Sequence, residues 1–259
     1  MLVEVSVTPK PGLVDRNNSG AHRDMGFFTF IKSAASLHKY FEEFAEVGRC
    51  NPIREIFPLI RKVGINAEKT MFKATGGINT HKGEIFSLGV LSAAAGYIAA
   101  NGGEIFSVAK EICAGLCEMD FAGVQDKSPE KLTKGERVYI EHGITGIRGE
   151  AEAGYPVVHD VALPAFKKYL SHGLSLNDSL AFTLIHIIAN SYDTNIISRH
   201  DLATAKRVMT LAQNITTLDE IYALDKKFID AYISPGGSGD LLAVTYFIYS
   251  LQNIHQFTN

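Results

Sequence analysis

The sequence GGINTHKGEIFSLGVLSAAAGYIAA, at residues 76–100, places a cluster of polar side chains directly before a run of small and apolar ones. The run from Val90 to Ala100 predicts a buried helix, because small side chains let neighbouring helices approach closely. His81 and Glu84 are three residues apart and would share one face of the first helical turn. Free backbone N–H groups in that turn favour anions, so we expect this helix to hold a charged ligand where it begins.

The composition is that of an ordinary globular protein, with 259 residues of which 46% are hydrophobic and 20% are charged. The net charge of −3 argues against binding to nucleic acid or to an acidic membrane through general surface charge. The three cysteines are odd in number and sparse, which is typical of a reducing compartment, and we expect a cytoplasmic protein. Cys113 and Cys117 are interpreted as core residues rather than metal ligands. The sequence predicts neither a signal peptide nor a membrane span.

Apolar residues recur at helical spacing along most of the chain, whereas no β-α-β alternation and no repeat is found. Residues 3–7 alternate as a strand would, over a length too short to decide. Pro58 is expected to kink or split its helix, and the predicted helix caps are Asn177, Ser198 with Asp201, and Thr217 with Glu220. The sequence therefore predicts an all-α fold, a single domain over residues 1–259 in which a multi-helix bundle directs polar loops to one cleft. The predicted helices cover residues 27–48, 52–64, a short segment from 66, a central helix ending at 101, 104–119, 133–143, 157–171, 178–192, 199–213, 218–232 and 239–252.

Five polar clusters interrupt the helical pattern, each at a helix end or in a loop between helices. A bundle with several loops at one end could gather them around a single cleft. Arginine and lysine side chains there would bind phosphates, while the carboxylates would hold Mg²⁺ or transfer protons. The clusters are residues 8–24, 76–84, 145–154, 193–199 and 234–240.

Three of these clusters allow a second interpretation. The segment 8–24 could be a solvated surface loop, although its mixture of apolar and charged residues favours a functional one. The glycine-rich segment 234–240 could be an ordinary turn and helix cap or a phosphate-binding turn. Asp193 could need a metal ion or Arg199 as its partner, or it could cap the helix that follows.

Four ordered motifs are TPKPGLVD at 8–15, GGINTHKG at 76–83, GIRGEA at 146–151 and SPGGSGD at 234–240. Together they resemble the triphosphoribosyl-dephospho-CoA synthase family, and the resemblance extends from about residue 4 to the C-terminal helix. Members of that family usually have a leading helix before the first motif. We therefore expect an edge of the core or of the site to be shortened in this chain.

The resemblance implies a pentosyltransferase that uses ATP and 3′-dephospho-CoA. The ribose 2′-hydroxyl of dephospho-CoA attacks C1′ of the ATP ribose, adenine leaves, and the triphosphate stays on the transferred sugar. Inversion at C1′ implies a single displacement. The product would be the precursor of the prosthetic group of the citrate lyase acyl carrier protein, or of malonate decarboxylase in a related branch. A phosphoribosyl-dephospho-CoA transferase acting on that carrier would be the downstream partner.

The chemistry implied by the resemblance divides the polar residues into two groups. We assign catalytic roles to His81, Glu84, Glu150 and Asp193, and the last three are also the candidate ligands of Mg²⁺. The second group is predicted to bind the substrates, with cations on their phosphates. It consists of Lys10, Asp15, Arg16, Asn17, His22, Asn79, Lys82, Arg148, Asn195, Arg199, Ser234, Gly236, Gly237 and Ser238.

Two other functions fit the same residue inventory. A helical metal-dependent hydrolase of nucleotides or ADP-ribosyl groups would use similar acids with water as the nucleophile. A non-catalytic CoA-binding module would bind dephospho-CoA tightly without releasing adenine.

Overall fold

The computed structural model describes residues 1–253 and is all-α over that range, which confirms the predicted fold class. Residues 254–259, the end of the predicted domain, lie outside the described part. Short 3₁₀ turns occur at Val124–Asp126 and Pro129–Lys131, and a π-helical turn occurs at Val157–Ala162. The helices are α1 Leu2–Ser6, α2 Phe27–Cys50, α3 Ile53–Thr75, α4 Lys82–Asn101, α5 Ile105–Ile112, α6 Leu116–Phe121, α7 Lys134–His142, α8 Ile147–Glu152, α9 Leu163–Ser171, α10 Leu176–Asn190, α11 Thr194–Arg199, α12 Leu202–Gln213, α13 Leu218–Asp230 and α14 Gly236–Gln252.

Helix α4 is the centre of the first half of the bundle, where it packs against α2, α3, α5 and α14. Its contact with α2 is close enough to bring backbone against backbone. A Cβ atom on Gly48 of α2 would lie 1.8 Å from the carbonyl oxygen of Ala93, and one on Gly96 of α4 would lie 1.9 Å from that of Ala45. The small residues of the central run therefore serve the close helix approach that the sequence predicts.

Helix α10 has the same position in the second half, where α9, α12, α13 and α14 surround it. Its residues Leu180, Leu184 and Ile187 are fully buried. Helix α14 contacts both α4 and α10 and so joins the two halves into one hydrophobic core. Because α4 and α14 both begin at the same polar cleft, this core fixes the position of the floor of that cleft.

Several predicted boundaries are wrong for local physical reasons. The alternating pattern at residues 3–7, which is too short to decide, belongs to α1 and its C-cap Val7, and this helix buries Val5. Helix α3 continues through Pro58 and Gly64 to Thr75, because its apolar stripe packs against α2 and α4 along its whole length. The helix predicted for 104–119 is interrupted at Gly115, whose φ of 76° lies in the left-handed region.

Helix caps follow the same pattern of confirmed and corrected predictions. Thr217 forms the predicted capping box with Glu220 at the start of α13. Asn177 is not the cap of α10, because its side chain bonds the backbone of Thr8 and Ser175 takes the cap position. Asp201 caps α12 through the Thr204 N–H, whereas the Ser198 hydroxyl bonds the Asn195 carbonyl within α11. The predicted helix 199–213 therefore begins later, at Leu202 of α12, and Arg199 is the last residue of α11.

Within residues 1–253, one helix, α4, is long and apolar enough by composition alone to cross a membrane. More than half of it is buried inside the bundle, as expected for a core helix.

The α2–α4 contact predicts opposite effects for two helical glycine-to-alanine changes. Gly96→Ala should lower the free energy of unfolding by about 1–3 kcal/mol, because the new methyl group meets the Ala45 carbonyl. Gly64→Ala in α3 is the matched control, since no atom lies within 4 Å of its Cβ position. That control should stabilise the protein by about 0.5–1 kcal/mol through helix propensity. Denaturant unfolding of both variants measures this, and equal effects would contradict the close packing.

Candidate active site

One cleft of about 820 Å³ receives side chains from all five polar clusters, as the predicted fold requires. Clefts of this size bind ligands as large as nucleotides. The loop 8–24 forms one side, and the beginnings of α4 and α14 form the floor. The predicted site residues that line the cleft are Lys10, His22, Asn79, Lys82, Glu84, Glu150, Asp193, Asn195, Arg199, Ser234, Gly236 and Gly237.

The loop 8–24 is held by buried hydrogen bonds rather than by regular structure. The Gly12 N–H donates to Asp225 Oδ1 at 2.9 Å, and Asn18 donates to the other oxygen of the same carboxylate. Asp15 is 1% exposed and accepts from the N–H groups of Asn17 and Asn18, so it shapes the loop and does not reach the cleft lining. The prediction that 8–24 is more than a solvated surface loop agrees with this burial.

Two predicted phosphate-binding residues of the loop have other surroundings. Arg16 and Asn17 are exposed and lie outside the cleft lining, and Asn17 donates to the Thr8 hydroxyl. Lys10 does line the cleft, but it is 1% exposed and its ammonium group is paired with the Glu4 carboxylate. Burial of such a pair is stable only when both charges are satisfied, so Lys10 acts with Glu4 rather than as a free cation.

A group of carboxylates lies beneath the start of α4. The side chain of Asp240 packs directly on Gly83, where a Cβ atom would come within 1.9 Å of Asp240 Oδ2. Burial raises the pKa of Asp240 well above its ordinary value, and the nearby charges of Glu84 and Asp193 raise it further. Burial also raises the pKa of Glu84, whose Oε2 lies 3.3 Å from the amino group of Met1.

Asp193 ties two walls of the cleft together. Its Oδ1 accepts from the N–H groups of Asn195 and Ile196 at the start of α11, and its Oδ2 accepts from the N–H and hydroxyl of Ser238 in α14. Asp193 is thus the cap of the following helix, the second of the two interpretations of this residue. Its four donors and its 5% exposure suit a positioning residue better than a metal ligand or a base. Ser238 is buried behind the lining for the same reason.

The segment 145–154, which contains the short helix α8, lines another part of the cleft. Glu150 lines the cleft and accepts the Val157 N–H through Oε1 at 2.7 Å, and burial raises its pKa. Arg148 points away from the cleft, because its Nε donates to Asp120 Oδ2 at 2.6 Å and its guanidinium lies over the Phe121 ring. The prediction that Arg148 binds phosphate therefore has no support from its position.

Three other cations reach the cleft. Lys82 is paired with Glu68 at 3.0 Å and is about half exposed at the rim. Arg199, at the end of α11, lines the cleft and forms no ion pair with any residue in 1–253. Burial lowers the pKa of His22, and the charge of Arg199 lowers it further. Lys134, at the start of α7, also lines the cleft. Arg199 and Lys134 are thus the cations available to a ligand phosphate.

His81 occupies the turn before α4 and is fully buried. Burial lowers its pKa to about 3, so the ring is neutral near pH 7. It lies just outside the cleft lining, and its Nδ1 is 2.7 Å from the Ser33 hydroxyl. A neutral histidine without contact to the cleft does not suit the catalytic role that the sequence predicts.

The predicted magnesium site depends on how the carboxylates of the cleft are arranged. Within residues 1–253 no group of three His, Cys, Asp or Glu side chains could enclose a metal ion, so Glu84, Glu150 and Asp193 do not form one cage. Mg²⁺ is nevertheless usually held by only one or two carboxylates together with substrate phosphates. Glu150 fits such a role, because it lines the cleft and its one hydrogen bond, from the Val157 N–H, uses Oε1 and not Oε2.

Glu4, Thr80, Lys134 and Asp240 are among the cleft residues that sequence reasoning missed as site residues. Thr80 and Asp240 lie inside predicted clusters, so their position in the motifs was a usable signal. Glu4 and Lys134 lie outside all five clusters, one in α1 and one in a capping-box helix. Only the tertiary structure brings those two into the cleft.

A family model described as ATP:dephospho-CoA triphosphoribosyl transferase matches residues 1–259. The chain belongs to this family. A Lactiplantibacillus plantarum protein named as a 2-(5″-triphosphoribosyl)-3′-dephosphocoenzyme-A synthase is 42% identical over 262 residues, covering 96% of this chain and 92% of the relative. A Vibrio cholerae serotype O1 protein of the same name is 40% identical over 268 residues, covering 97% and 85%.

A solved structure supports the fold of this chain. It is a crystal structure described as a triphosphoribosyl-dephospho-CoA synthase from Archaeoglobus fulgidus, with a TM-score of 0.52 and 17% identity. The match covers 84% of this chain and 96% of that one.

The raised pKa of Asp240 predicts that this residue costs stability near neutral pH. The unfolded state loses the proton near the ordinary pKa of 3.8, while the folded state keeps it to higher pH, so stability falls as the pH rises above about 4. Asp240→Asn should therefore raise the melting temperature at pH 8, with a gain that shrinks towards pH 4. Asp126→Asn, at an exposed site outside the cleft, is the control. A lower melting temperature for Asp240→Asn at every pH would contradict the assignment.

Proposed function

We propose that this protein transfers the 5-triphosphoribosyl group of ATP to the ribose 2′-hydroxyl of 3′-dephospho-CoA and releases adenine, as a pentosyltransferase. The observation that carries the proposal is the cleft itself. It collects residues from five segments spread between residues 8 and 240. It also places Arg199 and Lys134, which form no ion pair among residues 1–253, in one cavity with carboxyl groups. Membership of the ATP:dephospho-CoA triphosphoribosyl transferase family supports the same reaction.

The reaction exchanges one bond at C1′ of the ATP ribose for another. The bond from C1′ to adenine breaks, the bond from C1′ to the 2′-oxygen of dephospho-CoA forms, and the hydroxyl proton passes to a base. The departing adenine carries the electrons of the broken bond and takes up a proton. Displacement with inversion needs a base near the incoming hydroxyl and negative charge near the sugar, as in glycoside cleavage.

The basic side of the cleft is suited to the triphosphate. Arg199 can bind phosphate oxygens in bidentate fashion, and Lys134 adds a second charge. The first N–H groups of α14, at Gly236 and Gly237, border the same cavity where a helix begins. A Cβ atom at Gly236 would come within 2.7 Å of the Asn195 amide nitrogen, so glycine keeps this backbone accessible.

The carboxyl groups are suited to the sugar and the hydroxyl. Burial raises the pKa of Glu84 towards the range in which a carboxylate accepts a proton efficiently near neutral pH, so Glu84 suits the base for the incoming hydroxyl. Glu84 and Asp240 share one acidic position at the start of α4, which places negative charge near a sugar carbon with positive charge. General acid–base assistance of this kind contributes about 10²–10⁴-fold.

We further propose that Mg²⁺ enters with ATP, and that Glu150 together with phosphate oxygens would hold it. Bound there, the ion would neutralise phosphate charge. The residues of the chain would orient the triphosphate and exclude water from C1′.

The cellular context is likewise a proposal. Three free cysteines, two of them in the bundle, suit the reducing cytoplasm. The full length 1–259 would act as one domain, in line with the extent of the family match. Its product would pass to a phosphoribosyl-dephospho-CoA transferase that modifies an acyl carrier protein of citrate lyase.

The reaction is tested by incubating the protein with ATP, Mg²⁺ and dephospho-CoA and analysing the products by mass spectrometry. We expect adenine and a triphosphoribosyl adduct of dephospho-CoA in equal amounts, with both absent when dephospho-CoA is omitted. Glu84→Gln and Glu150→Gln should abolish adenine release, with Glu118→Gln, exposed and outside the cleft, as the control. Free triphosphoribose without the acceptor would indicate a hydrolase, and binding without adenine release would indicate a CoA-binding module.

The two arginines of the predicted site should behave differently. Arg199→Met should raise the KM for ATP about tenfold or more, because a charge-assisted contact to phosphate is worth roughly 1.5–3 kcal/mol. Arg148→Met should leave the KM for ATP within about twofold, because Arg148 is paired with Asp120 outside the cleft. Steady-state kinetics measure both. An equal rise in both variants would show that Arg148 turns into the cleft when substrate binds.

A further inference from the structure

A chain of three hydrogen-bonding groups leads from the cleft into the core beside α4. Thr80 lines the cleft, and its hydroxyl donates to Ser33 Oγ at 2.7 Å. Ser33 belongs to α2 and is fully buried, and its Oγ lies 2.7 Å from Nδ1 of the buried His81. Two of these three residues thus contact no solvent, and only Thr80 can meet a ligand.

The direction of the hydrogens in this chain follows from counting partners. Ser33 accepts the Thr80 hydrogen, and the acceptor within reach of its own hydrogen is His81 Nδ1. This arrangement places the ring hydrogen on Nε2, which has no partner among the described residues. With the hydrogen on Nδ1 instead, Ser33 Oγ would accept hydrogen bonds from both Thr80 and His81. The hydrogen of Ser33 and the lone pair of His81 Nε2 would then both be buried without partners. The first arrangement leaves one unsatisfied group rather than two and is therefore favoured.

The Thr80 hydrogen is consequently committed to Ser33. Its Oγ1 presents lone pairs alone to the cleft and can accept a hydrogen bond but not donate one. Such an oxygen repels phosphate groups, which offer acceptors, and attracts a hydroxyl or amino group. The buried hydrogen bonds fix this preference, because turning the Thr80 hydroxyl would leave Ser33 Oγ without its donor.

The same chain could in principle carry a proton from a substrate hydroxyl to His81. That role requires His81 to accept a proton, but burial lowers its pKa to about 3. The chain therefore orients Thr80 and does not act as a base.

We propose that Thr80, held by Ser33 and His81, is a specificity residue whose Oγ1 accepts a hydrogen bond from a ribose hydroxyl of a bound nucleotide. The assignment deepens the proposed function and rests on it for the identity of the substrates. Phe30, another lining residue, packs edge-on against His81 with 4.9 Å between ring centroids, so an aromatic surface lies beside this acceptor. A nucleoside combines a flat base with a hydroxylated sugar and suits both features.

Binding measured by calorimetry tests the proposal without requiring turnover. The ligands are ATP, 2′-deoxy-ATP, 3′-deoxy-ATP, the ATP analogue without the 6-amino group, dephospho-CoA and its 3′-deoxy analogue. Thr80→Val, which keeps the side-chain shape, should weaken one hydroxylated ligand about five- to tenfold, the worth of one hydrogen bond. The deoxy form of that ligand should bind both proteins equally. Thr80→Ser should bind like the unchanged protein.

Variants of the two buried residues test the orienting chain. Ser33→Ala releases the Thr80 hydrogen without altering Thr80, so discrimination between hydroxylated and deoxy ligands should fall. His81→Leu should reduce it as well, and His81→Asn, whose side-chain oxygen can accept the Ser33 hydrogen, should restore most of it. If His81 instead acts as a base, His81→Asn would bind normally yet lose turnover, and the pH profile of kcat would change.

Three results would overturn the proposal. One is a Thr80→Val variant that binds every ligand as tightly as before, and another is one that weakens all ligands equally. The third is a loss that disappears only for the analogue without the 6-amino group, which would place Thr80 on the base rather than on the sugar. Absence of adenine release by the unchanged protein would reject the proposed reaction while leaving these binding comparisons valid.

Discussion

The backbone contact between α2 and α4 is the constraint on which the rest of the structure depends. Gly48 and Gly96 allow the two helices to meet with no side chain between them, so α4 cannot shift without a clash. The first turn of α4 carries Glu84 and the preceding turn carries Thr80 and His81. Glu84 and Thr80 therefore have fixed positions in the cleft lining, and His81 has a fixed position just outside it. Ser33, in α2, crosses the same interface to reach them. The close packing of α2 and α4 in the core therefore fixes the geometry of the site.

The remaining walls are joined to this floor by buried polar contacts rather than by apolar packing. Asp193 joins α11 to α14, Asp225 of α13 joins the loop 8–24 to the second half of the bundle, and His22 reaches Ser234 at 2.8 Å. Each contact spans a large separation in sequence, so each organises residues that local structure could not bring together. The same cavity buries carboxyl groups whose pKa values are raised, a cost in stability that active sites commonly carry.

The sequence was sufficient for the helical class, the central buried helix and the five clusters, because these depend on periodicity and on composition over many residues. The sequence was not sufficient where a single tertiary contact decides the orientation of a side chain or the end of a helix. In the sequence, Arg148 and Lys10 both have the features of phosphate-binding residues. In the structure, Arg148 is paired with Asp120 and Lys10 is paired with Glu4. Gly64 indicates a helix end in sequence, yet long-range packing carries α3 through it. Lys134 enters the cleft because α7 packs against α11, a contact with no local signal.

The central claim is that five separate segments form one substrate site, and hydrogen–deuterium exchange with and without ATP plus dephospho-CoA tests it most directly. If the claim is correct, the two substrates together slow exchange in residues 8–24, 76–84, 145–154, 193–199 and 234–240. Exposed amides of α12, which lies away from the cleft, should be unaffected. Protection confined to one or two of these segments, or spread evenly over the chain, would contradict a shared site.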